Sequence, residues 1–158
     1  MPDAIGLFYN LNQLILNNNF ISGCIPVSLC RITSLTVLFL QENQLEGTVP
    51  REISLLSSLQ VLRLDGNKLS GPIPNEICKL KDLKRLSLSR NKLSGDIPES
   101  LQLLKSIQEF VLNDNLLSGR IPASIFECLS LTTVVLNNNK LTGPYITFYS
   151  PHYNLIFI

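Results

Sequence analysis

Apolar and polar positions along this chain come in short bursts rather than long amphipathic stretches. In "LQVLRLDGNKLSGPIPNEICKLK", Leu59 to Lys81, the first part alternates. Leu62 and Leu64 fall on one side of an extended backbone and Val61, Arg63 and Asp65 on the other, which predicts a short strand buried on one face. The polar run "GNKLSG" then supplies turn residues. Its last glycine permits a positive-φ turn, and the Ile-Pro that follows fixes an extended segment where a helix cannot begin. After the proline, Ile77 and Leu80 stand three apart, so the return leg is predicted to make one turn of 3₁₀ or α-helix against the core.

The same burst recurs every 24 residues. Asparagine falls at Asn19, Asn43, Asn67, Asn91, Asn115 and Asn139, and leucine at Leu16, Leu40, Leu64, Leu88, Leu112 and Leu136. Glycine runs from Gly23 to Gly143, and proline from Pro2 to Pro122 before failing at Ile146. A fixed period of this length is the signature of stacked supersecondary units, each unable to bury its own leucines. The expected organisation is a half coil over 1–10, then six repeats from about residues 11, 35, 59, 83, 107 and 131, and an irregular aromatic tail over 144–158. An inward-facing asparagine carries two donors and an acceptor, enough to satisfy backbone groups of its own turn and of the neighbouring coil, so the column is expected to form a ladder.

The unit L-x-x-L-x-L-x-x-N-x-L-x-G-x-I-P, seen in "LQVLRLDGNKLSGPIP" from Leu59 to Pro74, resembles the plant-type, 24-residue leucine-rich repeat. That form occurs in ectodomains of plant receptor-like kinases and receptor-like proteins and in polygalacturonase-inhibiting proteins. The resemblance implies an α/β solenoid, a right-handed superhelix with a parallel β-sheet on the concave face and short 3₁₀ or helical turns on the convex face. It covers about nine tenths of the chain, and it fixes fold rather than function. Two features depart from family ectodomains. Met1-Pro2 aligns with the middle of a coil, with no cysteine-containing cap before it, and no Asn-x-Ser/Thr sequon occurs. The chain is therefore expected to be either a slice of a longer gene product, extracellular or at the cell surface, or a protein that is not secreted.

Charge and composition narrow the functional classes. The net charge is +1 with both signs mixed along the chain, which leaves no electrostatic footprint for nucleic acid or an anionic membrane. No segment reads as a signal peptide or membrane span. Of the four cysteines, Cys30 and Cys78 share a phase two repeats apart, roughly 9.6 Å at the strand spacing and too far to bridge. All four are expected as free thiols, with Cys24 the exposed one and Cys128 a small core residue. The single histidine, His152, lies in the tail, so no nucleophile has a base. Glu42, Asp65, Glu109 and Asp114 are read as exposed strand positions open to water, poor candidates for acid/base work. No metal cluster, phosphate loop or cofactor motif is present, and the chain is not expected to be an enzyme.

What remains is a surface. The outward columns read Gln13, Val37, Val61, Arg85, Glu109, Thr133; then Ile15, Phe39, Arg63, Ser87, Val111, Val135; then Asn17, Gln41, Asp65, Ser89, Asn113, Asn137. They vary where the core columns do not. An aromatic flanked by arginines has the makeup of an interface hot spot, so Phe39, Arg63 and Arg85, with Val37, Val61, Glu42, Asp65 and Arg90 around them, are the candidate partner-binding residues. The bland alternative is that Arg85 pairs with Glu109, and Arg90 with Asp114, across neighbouring strands. On the other side Glu52, Glu76 and Glu99 fall early and Lys79, Lys81 and Lys105 late in the turns, as helix dipoles favour in a solvated face. The leading reading is a module that binds a protein or peptide on the concave sheet. Its rivals are a truncated product with structural or no independent binding function, prone to end-to-end self-association through uncapped ends, and an ice-binding surface.

Overall fold

A computed structural model of the chain describes residues 1–143, so the aromatic tail and His152 lie outside the described residues. Each repeat contributes a three-residue strand: β1 (Gln13–Ile15), β3 (Val37–Phe39), β5 (Val61–Arg63), β7 (Arg85–Ser87), β9 (Glu109–Val111) and β11 (Thr133–Val135). They form one parallel sheet in chain order, the expected concave face, with successive strands in a register of one full repeat. Leu14, Leu38, Leu62, Leu86, Phe110 and Val134 are thereby stacked as a single buried row beneath it.

The return legs are 3₁₀ turns: Asp3–Leu7, Val27–Arg31, Arg51–Leu55, Asn75–Lys79, Leu101–Leu103 and Ala123–Glu127. A proline with extended backbone precedes all but the fifth and presets the entry angle. In the fifth, Glu99 and Ser100 stay outside the turn, which starts at Leu101. Glu99 therefore does not occupy the first-turn position that Glu52 and Glu76 hold. Ile77 and Leu80 are both fully buried, as their spacing predicted.

A second set of strands was not foreseen. β2 (Ser22–Gly23), β4 (Gln44–Leu45), β6 (Ser70–Gly71), β8 (Lys92–Asp96) and β10 (Leu116–Ser118) follow the asparagine turns. They pair in parallel as β2-β4 and β10-β8-β6 along the flank of the solenoid.

The asparagine ladder runs from Asn43 to Asn139, while among the described residues the Asn19 side chain in the first coil bonds only Leu16 O and Asn17 O of its own turn. Asn67 donates from Nδ2 to Leu64 O (3.0 Å) and Asp65 O (3.4 Å) in its own coil and to Leu40 O (3.0 Å) in the preceding one. Its Oδ1 accepts from the Leu45 N–H at 2.9 Å. Asn43, Asn91, Asn115 and Asn139 repeat this set, each clamping two coils together.

Candidate functional site

The candidate residues are placed by three successive strands and the turns that leave them. Alternation along β3, β5 and β7 buries the central leucine of each strand and turns Val37, Phe39, Val61, Arg63 and Arg85 onto the concave surface. Phe39 and Arg63 are register partners, and the Arg63 guanidinium sits 5.9 Å from the Phe39 ring centroid. Arg63 also donates from Nε and Nη2 to both carboxylate oxygens of Asp65, each at 3.3 Å. The stacked, two-pronged arrangement fixes a side chain that would otherwise be free to rotate.

Asp65 corrects the sequence reading. It is only 3% exposed, and its neighbours in the same column, Gln41 and Ser89, are also buried. The strand ends at Arg63, and in the column that follows it the three middle members are buried while Asn17, Asn113 and Asn137 are half-buried. Glu42, Arg90 and Asp114 are likewise not strand residues. They follow the strands as left-handed residues, with φ of 55°, 51° and 56°.

Arg85 pairs with Glu109 of the next strand at 3.2 Å, one of the two cross-strand pairs expected. The other does not form. Arg90 donates to Glu42, and lies 3.9 Å from Asp65, whereas Asp114 is taken by Asn113 (2.5 Å) and Asn138 (2.6 Å). Both side-chain amides reach Asp114 from its own turn and from the next coil, and Arg90 extends the opposite way along the stack.

These side chains surround a depression of about 400 Å³ over β7, lined by Phe39, Val61, Arg63, Asp65, Arg85 and Arg90 together with Leu86, Ser87, Ser89, Glu109 and Val111. Six of the eight candidate residues meet there. Val37 and Glu42 do not line it. Ser87 and Ser89, which the hot-spot reasoning passed over, form the hollow itself. Each is the smallest residue of its outward column, between Arg63 and Val111 in one and between Asp65 and Asn113 in the other, so a gap opens where larger neighbours would have filled the surface. That signal was available in the sequence. Neither serine hydroxyl makes a hydrogen bond to another described residue, leaving donors and acceptors facing the hollow.

The lining holds three arginines, Arg63, Arg85 and Arg90, against two carboxylates, Asp65 and Glu109, and Glu42, paired with Arg90 just outside it, brings the set to no net charge. Such a surface suits a partner that presents apolar area and mixed hydrogen-bonding groups. Among the described residues no group of three histidine, cysteine or acidic side chains is placed to hold a metal ion. Also among them, no helix is long and apolar enough to cross a membrane. Cys24 is exposed and Cys30, Cys78 and Cys128 are buried, all as free thiols, and all remote from the hollow.

Family profiles described as leucine-rich repeat match residues 8–69 and 82–104. No curated protein matches the chain. Among solved structures, it is similar to the plant peptide hormone receptor RGFR1 in complex with RGF2, at 35% identity and a TM-score of 0.88, over 89% of this chain and 23% of that one. It is also similar to a chain of the BIR3–SERK2 complex from Arabidopsis thaliana, at 38% identity and a TM-score of 0.73, over 84% of this chain and 70% of that one. A plant ice-binding protein matches at 29% identity with a TM-score of 0.91, over 98% of this chain and 50% of that one. The chain thus spans less than a quarter of the peptide hormone receptor it resembles.

Proposed function

The chain belongs to the leucine-rich-repeat family, in its plant-type form, and from that premise we propose that it is a non-enzymatic recognition module that binds an extended peptide, or a peptide segment of a protein, across its concave sheet. The observation that carries this reading is the hollow over Ser87 and Ser89 with its walls of Phe39, Arg63, Arg85 and Arg90. From β3 to β9 the sheet advances roughly 14 Å at the usual strand spacing, the length of four or five extended residues. One ligand side chain fits over the two serines, while Phe39 and Val61 cover apolar parts of its neighbours. The relatives that bind a peptide hormone support the class of partner, and their setting supports a cell-surface location as part of a longer receptor-like protein.

The experiment uses a random peptide display library selected against the purified chain, with binders mapped by amide hydrogen exchange. Binders are expected to protect β5, β7 and β9. They are also expected to weaken about tenfold with Phe39→Ala and by more with Ser87→Phe, which fills the hollow. Protection confined to the 3₁₀ turns, or unchanged affinity for Ser87→Phe, would overturn the site.

A second reading is favoured by one comparison, the likeness to a plant ice-binding protein. Arg63, Arg85, Arg90 and Glu109 interrupt the flat neutral rows such a surface would need on the concave sheet, and the absence of thermal hysteresis in a cooled solution would dispose of it.

A further inference from the structure

One column lies just past the concave sheet: Asn18, Glu42, Gly66, Arg90, Asp114 and Asn138. All six have left-handed backbones, with φ between 51° and 64°. Asparagine and aspartate accept this conformation readily, glycine without cost, and long side chains such as glutamate and arginine poorly. Glu42 and Arg90 are therefore the two unexpected members, and they flank the single member with no side chain.

The empty position is occupied from next door. A Cβ built on Gly66 would lie 2.5 Å from Glu42 Oε1, 2.7 Å from its carboxyl carbon and 2.8 Å from Oε2, so the carboxylate rests where a side chain of residue 66 would begin. Across this slot Arg90 Nη2 donates to Glu42 Oε1, joining residues two repeats apart. Arg90 also stands 3.9 Å from Asp65, whose carboxylate is already held by Arg63. The four side chains make a line of two cations and two anions, Glu42, Arg90, Asp65 and Arg63, beside the hollow.

We propose that Glu42, admitted by the missing side chain at Gly66, is a built-in counter-ion that fills the anion position on Arg90 and makes this end of the groove reject ligands bearing a carboxylate there. Glu42 is thus a specificity-determining residue although it does not line the hollow, and Gly66 is the positioning residue that lets it act. The inference rests on the groove being a peptide site, and names the charge of the peptide it refuses. Arg90 is about half exposed, so without Glu42 it presents an unmatched guanidinium to the groove.

The probe is acetylated pentaglutamate, titrated at low salt into the full chain and followed by NMR. Glu42→Gln is expected to bind it about two- to fivefold more tightly than the unaltered chain, a gain of the size exposed ion pairs supply. The gain should shrink as salt rises. It should vanish in the double variant Glu42→Gln/Arg90→Gln, and Glu127→Gln, which changes the net charge by the same amount from a 3₁₀ turn away from the groove, should give no such gain. Gly66→Asn provides a second route, because Asn18 and Asn138 already occupy this column at φ of 55° and 56°. It is expected to displace Glu42 and produce a smaller gain of the same sign. Equal binding by Glu42→Gln, Gly66→Asn and the unaltered chain, or a gain that persists without Arg90, overturns the counter-ion. Because the probe is a defined anion, this result is independent of whether library peptides bind over Ser87.

Discussion

Asn115 ties two adjacent coils together through one side chain. Its Nδ2 donates to Leu112 O (3.1 Å) and to Leu88 O (3.0 Å) of the preceding coil, and its Oδ1 accepts from Leu93 N–H (3.0 Å). It is 6% exposed, so water cannot replace these bonds. Asn115→Ala strands the Leu93 N–H and leaves the Leu88 and Leu112 carbonyls only their bonds from Asn91 and Asn139, and is expected to lower unfolding stability by about 1–3 kcal/mol in urea denaturation. The cysteines give a second prediction at this scale. Burial pushes the Cys30 thiol up to about 12, with Glu52 adding to the effect, and the Cys78 thiol up to about 11. Burial raises Cys128 as well. Only the exposed Cys24 is therefore expected to react rapidly with a disulfide reagent at pH 8, the others only after denaturant is added. Linkage adds a pH dependence. Above about pH 9 the unfolded thiols lose protons that the folded ones keep, so the thiols' contribution to stability is fully present below that pH and falls from about 9 towards 11–12. A thermal midpoint that rises over this window would contradict the burial of the thiols.

A strand in this fold gains its stability from neighbours on both sides, so the same substitution should have different effects along the stack. Leu62 lies in β5 with paired strands on either side and is fully buried, whereas Leu14 lies in the edge strand β1 and is 9% exposed. Leu62→Ala is expected to cost about 3–4 kcal/mol and Leu14→Ala about half of that, compared by urea denaturation of the two variants. The rows of strands, the asparagine ladder and the 3₁₀ turns were legible from the 24-residue period because each repeat obeys the same local rules. What the period concealed were the consequences of neighbours. The short strands of the flank, two to five residues long, show no repeated alternation of their own and exist because the turns of adjacent coils come into register and pair. Asp65 read as outward because the alternation was extended past Arg63, where the backbone leaves the strand. Arg90 read as a partner of Asp114 because adjacent repeats are the default. Its real partner, Glu42, lies beyond the gap left by Gly66. Ser87 and Ser89 were legible as a pair of small residues in one repeat, a signal of shape that a search for aromatic and charged hot spots does not weigh.

At the scale of the solenoid, the strands and turns among the described residues pack against those of successive coils, and the first coil packs on one described neighbour. That coil carries exposed apolar side chains: Leu7, Phe8 and Tyr9 after the first 3₁₀ turn, and Phe20 in the following turn at 88% exposure. Beside them β1 offers an unpaired sheet edge whose outward Ile15 is half exposed. An edge strand flanked by apolar surface is a template for another chain, and a net charge of +1 provides little repulsion to prevent the encounter. Self-association through this end is therefore expected, with the sedimentation coefficient rising with protein concentration. Phe8→Ser combined with Phe20→Ser should suppress the rise and leave the circular dichroism spectrum unchanged, because neither ring contributes to the buried core. If the coefficient is constant over about a hundredfold range of concentration, this end does not self-associate. If the double variant associates as strongly as the parent, the contact lies on another face, and the hollow over β7 becomes the next surface to test with Ser87→Phe.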